Sequence, residues 1–477
     1  MRAIVRLAIV FGAAILLFAC MSSGRAEDLE PRAAPAPPAT PPALRDGTDA
    51  RPDQPPAYSR ADLLEDFDRF ADILLTRNPL EFADKAEVTQ FTRQQREVLR
   101  DGMSELDFYR ILTPIVVKVR CGHTGIFLSP AEETRLRSSQ RYFPVLVRIA
   151  AGRLFVISPL GSEEPQSGSE ISAINGRPSA EIIARMYDNI TADGANVTRK
   201  TYVASRVFND LYSLFIDDHP DFRVEYRDAA RGVSGAVELR GISKATLERE
   251  AAGAGFPYGL PEHGPAYSFS TSSTGHSEAA VLTIRTFSFA AGRRDFEAFI
   301  DHCFATLAER KARALILDLR GNWGGDPEAS SYLFARLISM PARYFEEGTP
   351  LYTALTKPIP PAPNAFTGML LVLTDGACFS STGHLCSLLR FHGRGLFVGE
   401  ETGGSWTTTD ASQDYRLPRT GMRLHSSNAA FRTAVTGLPV GRGIMPDREA
   451  AAEIGDLLAR RDLAMELAMR MIPAEED

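Results

Sequence analysis

Between residues 265 and 470, short apolar runs alternate with amphipathic stretches, and this alternation constrains the fold more than any other feature of the chain. The runs at 280–287, 314–319, 369–374 and 396–399 are rich in Val, Ile and Leu. They are too short and too uniformly apolar for surface helices, and they read as strands buried on both faces. The stretches between them, 295–310, 327–338 and 381–391, carry apolar residues at helical spacing. Strand and helix in strict alternation predict βαβ units around a largely parallel sheet, an α/β fold.

The chain upstream is organised differently. Residues 59–135 read as a small helical domain. Ser59 and Asp62 are spaced as a capping pair, and Leu63, Phe67, Phe70, Ala71, Leu74 and Leu75 form one stripe. A second helix is expected from about Ser104, with Phe108, Ile111, Leu112, Ile115 and Val119 on one face and Pro114 kinking or shortening it. Over 140–245 the period changes to two: Phe143, Val145, Val147 and Ile149 alternate, and 154–157 follow after Gly152. The 168–176 stretch, ending in Asn175-Gly176 ahead of a helix-like 180–183, resembles the centre of a PDZ domain. The same dipeptide after an apolar strand also fits any tight hairpin.

The N-terminus, 1–26, looks like an export signal. Arg2 and Arg6 flank an uncharged segment from Leu7 to Ala19, which is too short to span a bilayer. Leu17-Phe18-Ala19-Cys20 resembles a lipoprotein box that would tether the chain through Cys20, whereas Gly24-Arg25-Ala26 suits ordinary signal cleavage. The expected location is therefore the periplasm or cell envelope. Residues 27–58 are a proline-rich linker without core-forming residues. The net charge of −7 carries no basic block, which argues against nucleic acid as a partner. No cysteine pair has C-x-x-C spacing, so neither a metal nor another cofactor is expected.

Three segments carry candidate chemistry. In 314–325 a buried strand ends in Asp318-Leu319-Arg320 and opens into Gly321-Asn322-Trp323-Gly324-Gly325. A glycine-rich loop of this kind turns backbone N–H groups toward developing negative charge. It lacks the Lys-Ser/Thr of a nucleotide loop, so phosphate binding is the weaker reading. In 371–384 a second strand meets a turn that holds Ser380 and Ser381 where the next helix begins. A serine there is either a helix cap or an exposed nucleophile. In 121–125, Cys-Gly-His-Thr-Gly offers His123 as a base; a lone histidine of this sort is more often structural.

Taken together, these segments resemble the C-terminal-processing (tail-specific) serine peptidase family, in its tricorn-core and retinoid-binding-protein-like branch. The DLRGNxGG loop stands at 318–325, the serine is Ser380, and a GET-GG segment stands at 399–404. A closing G-[IV]-x-P-D stands at 443–447, and Gly122-His123-Thr124 looks like the upstream histidine motif. The resemblance implies a ClpP/crotonase-like catalytic core over 265–470, a PDZ-like module and a peptide or protein substrate. It also implies an acyl-enzyme mechanism with Ser380 as nucleophile, His123 as base, and the N–H groups of Gly324, Gly325 and Ser381 as the oxyanion hole.

The departures are specific. Gly403-Gly404-Ser405 leaves no lysine to act as base, no glutamate follows Ser380, and Val440 stands where that branch tends to carry an acid. Glu400 and Glu401 are therefore the candidates to orient His123. His384, one turn after Ser380, is the rival base, expected instead to pack or cap. Cys121 and Cys378 each lie two residues before a catalytic candidate. They are expected to lie near each other, either bridged or as two buried thiols. A catalytically decayed peptide-binding protein and an esterase-like hydrolase remain the alternative functions.

Overall fold

In the computed structural model, Ala314–Asp318 is a strand with every residue buried, as its unbroken apolar composition requires. The structure describes residues 57–254, 265–272, 279–290 and 292–473. The expected export signal, Cys20 and the linker up to residue 56 lie outside them. Six of the described strands form one sheet, in the order Tyr267–Ser272, Ala279–Ile284, Ala314–Asp318, Met369–Thr374, Leu396–Gly399 and Arg448–Glu449. The first pairing is antiparallel and the other four are parallel. Alternation along the strands divides their side chains between two cores. Leu315, Leu317, Leu370 and Val372 face the helices Arg294–Glu309, Pro327–Phe334 and Ser381–Phe391. Ile316, Leu371, Leu373 and Val398 face the opposite side, covered by the Leu463–Met471 helix.

The N-terminal region contains the expected helices Arg60–Thr76 and Glu105–Lys118, and a third, Lys85–Arg96, that the sequence reading missed. Ser59 and Ser104 cap the first two, Ser104 in a full capping box with Asp107. The Glu105–Lys118 helix continues through Pro114 and is not shortened by it. Residues 145–240 form a largely antiparallel sheet in the order 145–150, 153–159, 170–174, 221–228 and 233–240, with Arg177–Pro178 added to the 170–174 strand. Asn175 and Gly176 both take positive φ (51° and 73°) and close that hairpin, after which Ser179–Tyr187 is helical. These two regions share one continuous core, in which Phe67, Phe70 and Leu112 join Phe143, Val156 and Val224. The linker's last two residues, Ala57–Tyr58, pair with Met103–Ser104. Among the described residues, no helix is long and apolar enough to cross a membrane.

One pairing positions the histidine. Gly125–Phe127, separated from His123 by Thr124, pairs antiparallel with Arg423, Leu424 and His425 of the Arg423–Ser426 strand. That strand lies between the fifth and sixth strands of the large sheet in the sequence, so the upstream histidine segment is clamped onto the downstream half of the molecule.

Candidate active site

Parallel strands deliver their loops to the same edge. Asp318 is in register with Leu373, so the loops that follow these two strands emerge side by side. Backbone bonds lock them together: Leu319 N–H donates to Leu373 O (3.1 Å), and Phe379 N–H to Asn322 O (3.2 Å). The Asp375 carboxylate accepts from Gly321 N–H (3.1 Å). Asp318 is held well below the carboxylate range, at about 2. Burial opposes its charge, but hydrogen bonds from Arg320 and Arg285 outweigh burial.

Ser380 stands at the cap position of the Ser381–Phe391 helix with φ 54° and ψ −129°. A non-glycine residue adopts such a conformation only where its surroundings impose it. Its hydroxyl makes no capping hydrogen bond. The cap reading, which was the bland account of this serine, therefore loses its main support. Glycines make the turn possible. A Cβ on Gly324, itself at φ 98°, would lie 2.7 Å from Phe379 O and from Ser380 Cβ. One on Gly404 would lie 2.9 Å from Ser380 N. Only hydrogen fits at either position, so the two glycine loops press directly on the serine.

Of the three expected oxyanion donors, Gly324 gives its N–H to Asn322 Oδ1 (2.9 Å). Among the described residues, the N–H groups of Gly325 and Ser381 have no acceptor. Ser381 N lies 3.0 Å from the position of that same Gly324 Cβ, and its own hydroxyl is buried without a partner. Ser380 is the more accessible of the two serines, 8% exposed against 0%.

His123 is brought to this turn, although no hydrogen bond joins it to Ser380. Its ring stacks on Phe379, with centroids 4.5 Å apart and planes 26° apart. Gly122 allows the approach, since a Cβ there would meet the Phe379 ring at 2.5 Å. Nδ1 faces the Thr408 hydroxyl at 3.1 Å, and Nε2 lies 4.0 Å from Asp410 Oδ2. Behind them, Asp193 accepts from Gly122 N–H (2.8 Å) and from the Thr408 hydroxyl (3.4 Å). Burial pushes His123 down to about 4; Asp410 opposes the shift and Arg199 adds to it. Burial pushes Asp193 up to about 7 against the Gly122 hydrogen bond and the Arg199 charge. The Arg199 guanidinium lies 3.6 Å from the centroid of the Phe379 ring and 4.4 Å from that of Trp323.

Glu400 and Glu401 do not orient the histidine. Glu401 pairs with Arg442 (2.9 Å) and accepts Gly443 N–H (2.9 Å), tying the 399–404 loop to the 443–447 segment. Glu400 faces Arg148, Arg320 and Asp375 across a separate cavity. The residues around His123 are instead Thr408, Asp410 and Asp193, and no motif marked them; their only signal was a polar run, Thr407-Thr408-Thr409-Asp410, in a late strand. His384 packs against Phe345 and Tyr344, and burial holds it neutral, at about 3.

The two cysteines face different cores. Cys121 contacts Thr409 Oγ1 (2.7 Å) and Ser427 Oγ (3.4 Å), whereas Cys378 donates to Leu319 O (3.1 Å). Both are free and buried, as the second of the two expectations had it. The same-side argument failed because 121–124 is a turn closed by Thr124 N–H to Cys121 O (3.2 Å), not an extended segment.

Comparison with known proteins bears on the family and the fold. Residues 278–450 match the family model described as Peptidase family S41. The fold is similar to that of mature CPAF at 15% identity and a TM-score of 0.62, covering 86% of this chain and 96% of that one. It is also similar to mature CPAF complexed with lactacystin (15%, TM-score 0.61, 86% and 97%). A photosystem II D1 C-terminal processing protease aligns over 87% of this chain and 97% of its own at 15% identity, with a TM-score of 0.43. No curated protein matches the chain.

Proposed function

Starting from the premise that residues 278–450 are a peptidase family S41 domain and the chain a serine peptidase of the C-terminal-processing type, we propose that it hydrolyses peptide bonds through an acyl-enzyme on Ser380, with His123 as base. The observation that carries this reading is the backbone of Ser380. Its φ and ψ are those of a strained strand-to-helix turn that lifts a side chain out at a sheet edge, and its hydroxyl is committed to no cap.

The free N–H groups of Gly325 and Ser381 flank this turn and supply donors to the tetrahedral oxyanion. Burial keeps His123 neutral at pH 7, the form able to accept the serine's proton. Asp410, beside Nε2, stabilises the imidazolium that then forms. In the resting arrangement the imidazole lies flat on Phe379, so substrate binding must bring the ring toward Ser380, a tightening common at catalytic hydrogen bonds.

The parallel sheet suits a ClpP/crotonase-like core, and the 170–187 hairpin and helix suit a PDZ-like module that holds a substrate tail. The N-terminal signal supports an exported enzyme, and Cys20 a possible lipid tether to the membrane. The missing Ser380–His123 hydrogen bond favours one second reading, a peptide binder that has lost catalysis. Labelling with a fluorophosphonate probe separates the two. A peptidase is modified and inactivated, whereas a decayed binder stays unmodified.

A further inference from the structure

The proposed base belongs to a cluster whose other two members, Cys121 and Asp193, have no part in the proposed hydrolysis. Cys121 Sγ, a ring nitrogen of His123 and a carboxylate oxygen of Asp193 all lie within 4.8 Å of one another, and all three residues are buried. We propose that this cluster binds a zinc ion, and that zinc held there silences the peptidase.

The donor set selects the metal. A thiolate, an imidazole and a carboxylate together suit borderline-soft Zn²⁺, whereas calcium and magnesium take oxygen ligands. Zinc–sulfur bonds of about 2.3 Å and zinc–nitrogen or –oxygen bonds of about 2.0–2.2 Å place tetrahedral donors roughly 3.5 Å apart, so the cluster closes by about 1 Å around the ion. Three protein donors leave a fourth position for water.

The surroundings are those of a ligand set. Asp193 accepts only from the Gly122 N–H and the Thr408 hydroxyl, and among the described residues no Lys or Arg forms an ion pair with it. Arg199, the nearest cation in charge terms, is turned onto the rings of Phe379 and Trp323, with Nε and Nη1 unpartnered. The hydroxyls of Thr409 and Ser427 contact Cys121 Sγ and can donate to it as a thiolate. His123 Nδ1 faces the Thr408 hydroxyl at 3.1 Å, and that hydroxyl also reaches Asp193, so zinc on Nδ1 displaces the Thr408 contact and leaves Nε2 on the side of Asp410, 4.0 Å away.

Inhibition follows from this tautomer. Zinc on Nδ1 puts the ring proton on Nε2, the nitrogen that lies 4.0 Å from Asp410 Oδ2. The imidazole then has no lone pair with which to take the proton of Ser380. The Cys121 thiol proton leaves to solvent as the metal binds. This consequence rests on the proposed catalytic role of His123; the binding does not.

The test uses the metal-free full chain and Co²⁺ as a spectroscopic stand-in for zinc. One Co²⁺ per chain should produce a near-ultraviolet thiolate-to-cobalt band and visible bands of tetrahedral intensity, all discharged by Zn²⁺. The band should persist in Cys378→Ala, vanish in Cys121→Ala, and require at least tenfold more Co²⁺ in Asp193→Asn. If Cys121→Ala fails to fold, the wild-type and Asp193→Asn titrations still decide. A wild-type chain without a thiolate band overturns the proposal, as does a band that survives Cys121→Ala or is unchanged in Asp193→Asn. In a parallel peptide-hydrolysis assay, saturating Zn²⁺ should lower the wild-type rate at least tenfold and leave the Cys121→Ala rate, relative to its own zinc-free value, unchanged. A cobalt site without zinc inhibition would count against His123 as base and leave the metal site standing.

Discussion

The serine turn and the histidine turn meet at Phe379, yet they are held in opposite ways. The serine turn is held by backbone: neighbouring parallel strands deliver it, and Gly324 and Gly404 leave no space for it to move. The histidine turn is held by side chains. Asp193 grips Gly122 N–H, Thr408 faces His123 Nδ1, and Thr409 and Ser427 contact Cys121. A nucleophile fixed by backbone stays in place through the acyl-enzyme cycle, whereas a base fixed by hydroxyls and one ring stack can shift between partners at low cost.

The largest effects should come from the backbone-held side. Ser380→Ala should lower peptide hydrolysis by at least about 10³-fold, with thermal unfolding close to that of the parent, because the hydroxyl makes no cap bond. Gly324→Ala should follow. Its Cβ would meet the Phe379 carbonyl and Ser380 Cβ at 2.7 Å, and φ 98° disfavours alanine. A loss of about 100-fold in kcat and about 1–3 kcal/mol of stability is expected from denaturant unfolding and steady-state kinetics. Gly122→Ala sharpens the contrast. Its Cβ would meet side chains and not backbone, the Phe379 ring at 2.5 Å and Asp193 Oδ1 at 3.3 Å, so kcat should fall while stability changes by less than in Gly324→Ala. Equal destabilisation by the two substitutions would erase the proposed difference between the turns.

On the side-chain-held side, Asp410→Asn and Thr408→Val should each lower kcat by about tenfold with little change in KM, because both residues face the histidine and not the Ser380 turn. Glu401→Gln should leave kcat near the parent value, since Glu401 serves Arg442 and Gly443.

The smallest effect concerns acid. Asp318 has its folded pKa lowered to about 2, so its stabilising contribution is complete above the unfolded value of about 4 and is lost as pH falls from there toward 2. About 2 kcal/mol of stability should disappear across that window, and Asp318→Asn should lose the same increment already at pH 7. A parent and variant with parallel pH–stability curves would contradict this.

The parallel sheet was legible because its strands are buried on both faces and advertise it in unbroken Leu-Ile-Val runs, as at 315–317 and 370–373. The glycine turns around Ser380 were legible because turn chemistry is local, although the Gly324 N–H, expected at the oxyanion, goes instead to Asn322 Oδ1. The surroundings of His123 were not. Asp193 sits in a loop and Thr408 and Asp410 in a short strand, each polar and unremarkable alone, and tertiary contacts such as the pairing of Gly125–Phe127 with Arg423–Ser426 and the Gly122–Asp193 hydrogen bond gather them. Of the two expectations for Cys121 and Cys378, only the bridge failed, because a turn at 121–124 breaks the period-two rule that it relied on. Glutamates at 400 and 401 attracted attention by their place in a motif, whereas one of them is spent on an arginine.

The central claim, that Ser380 is the nucleophile, is tested most directly by locating a fluorophosphonate adduct on the intact chain by peptide mass spectrometry. The account predicts one adduct, on Ser380, absent from Ser380→Ala and retained in Ser381→Ala. An adduct on Ser381, or a parent chain that takes up no probe, would contradict it.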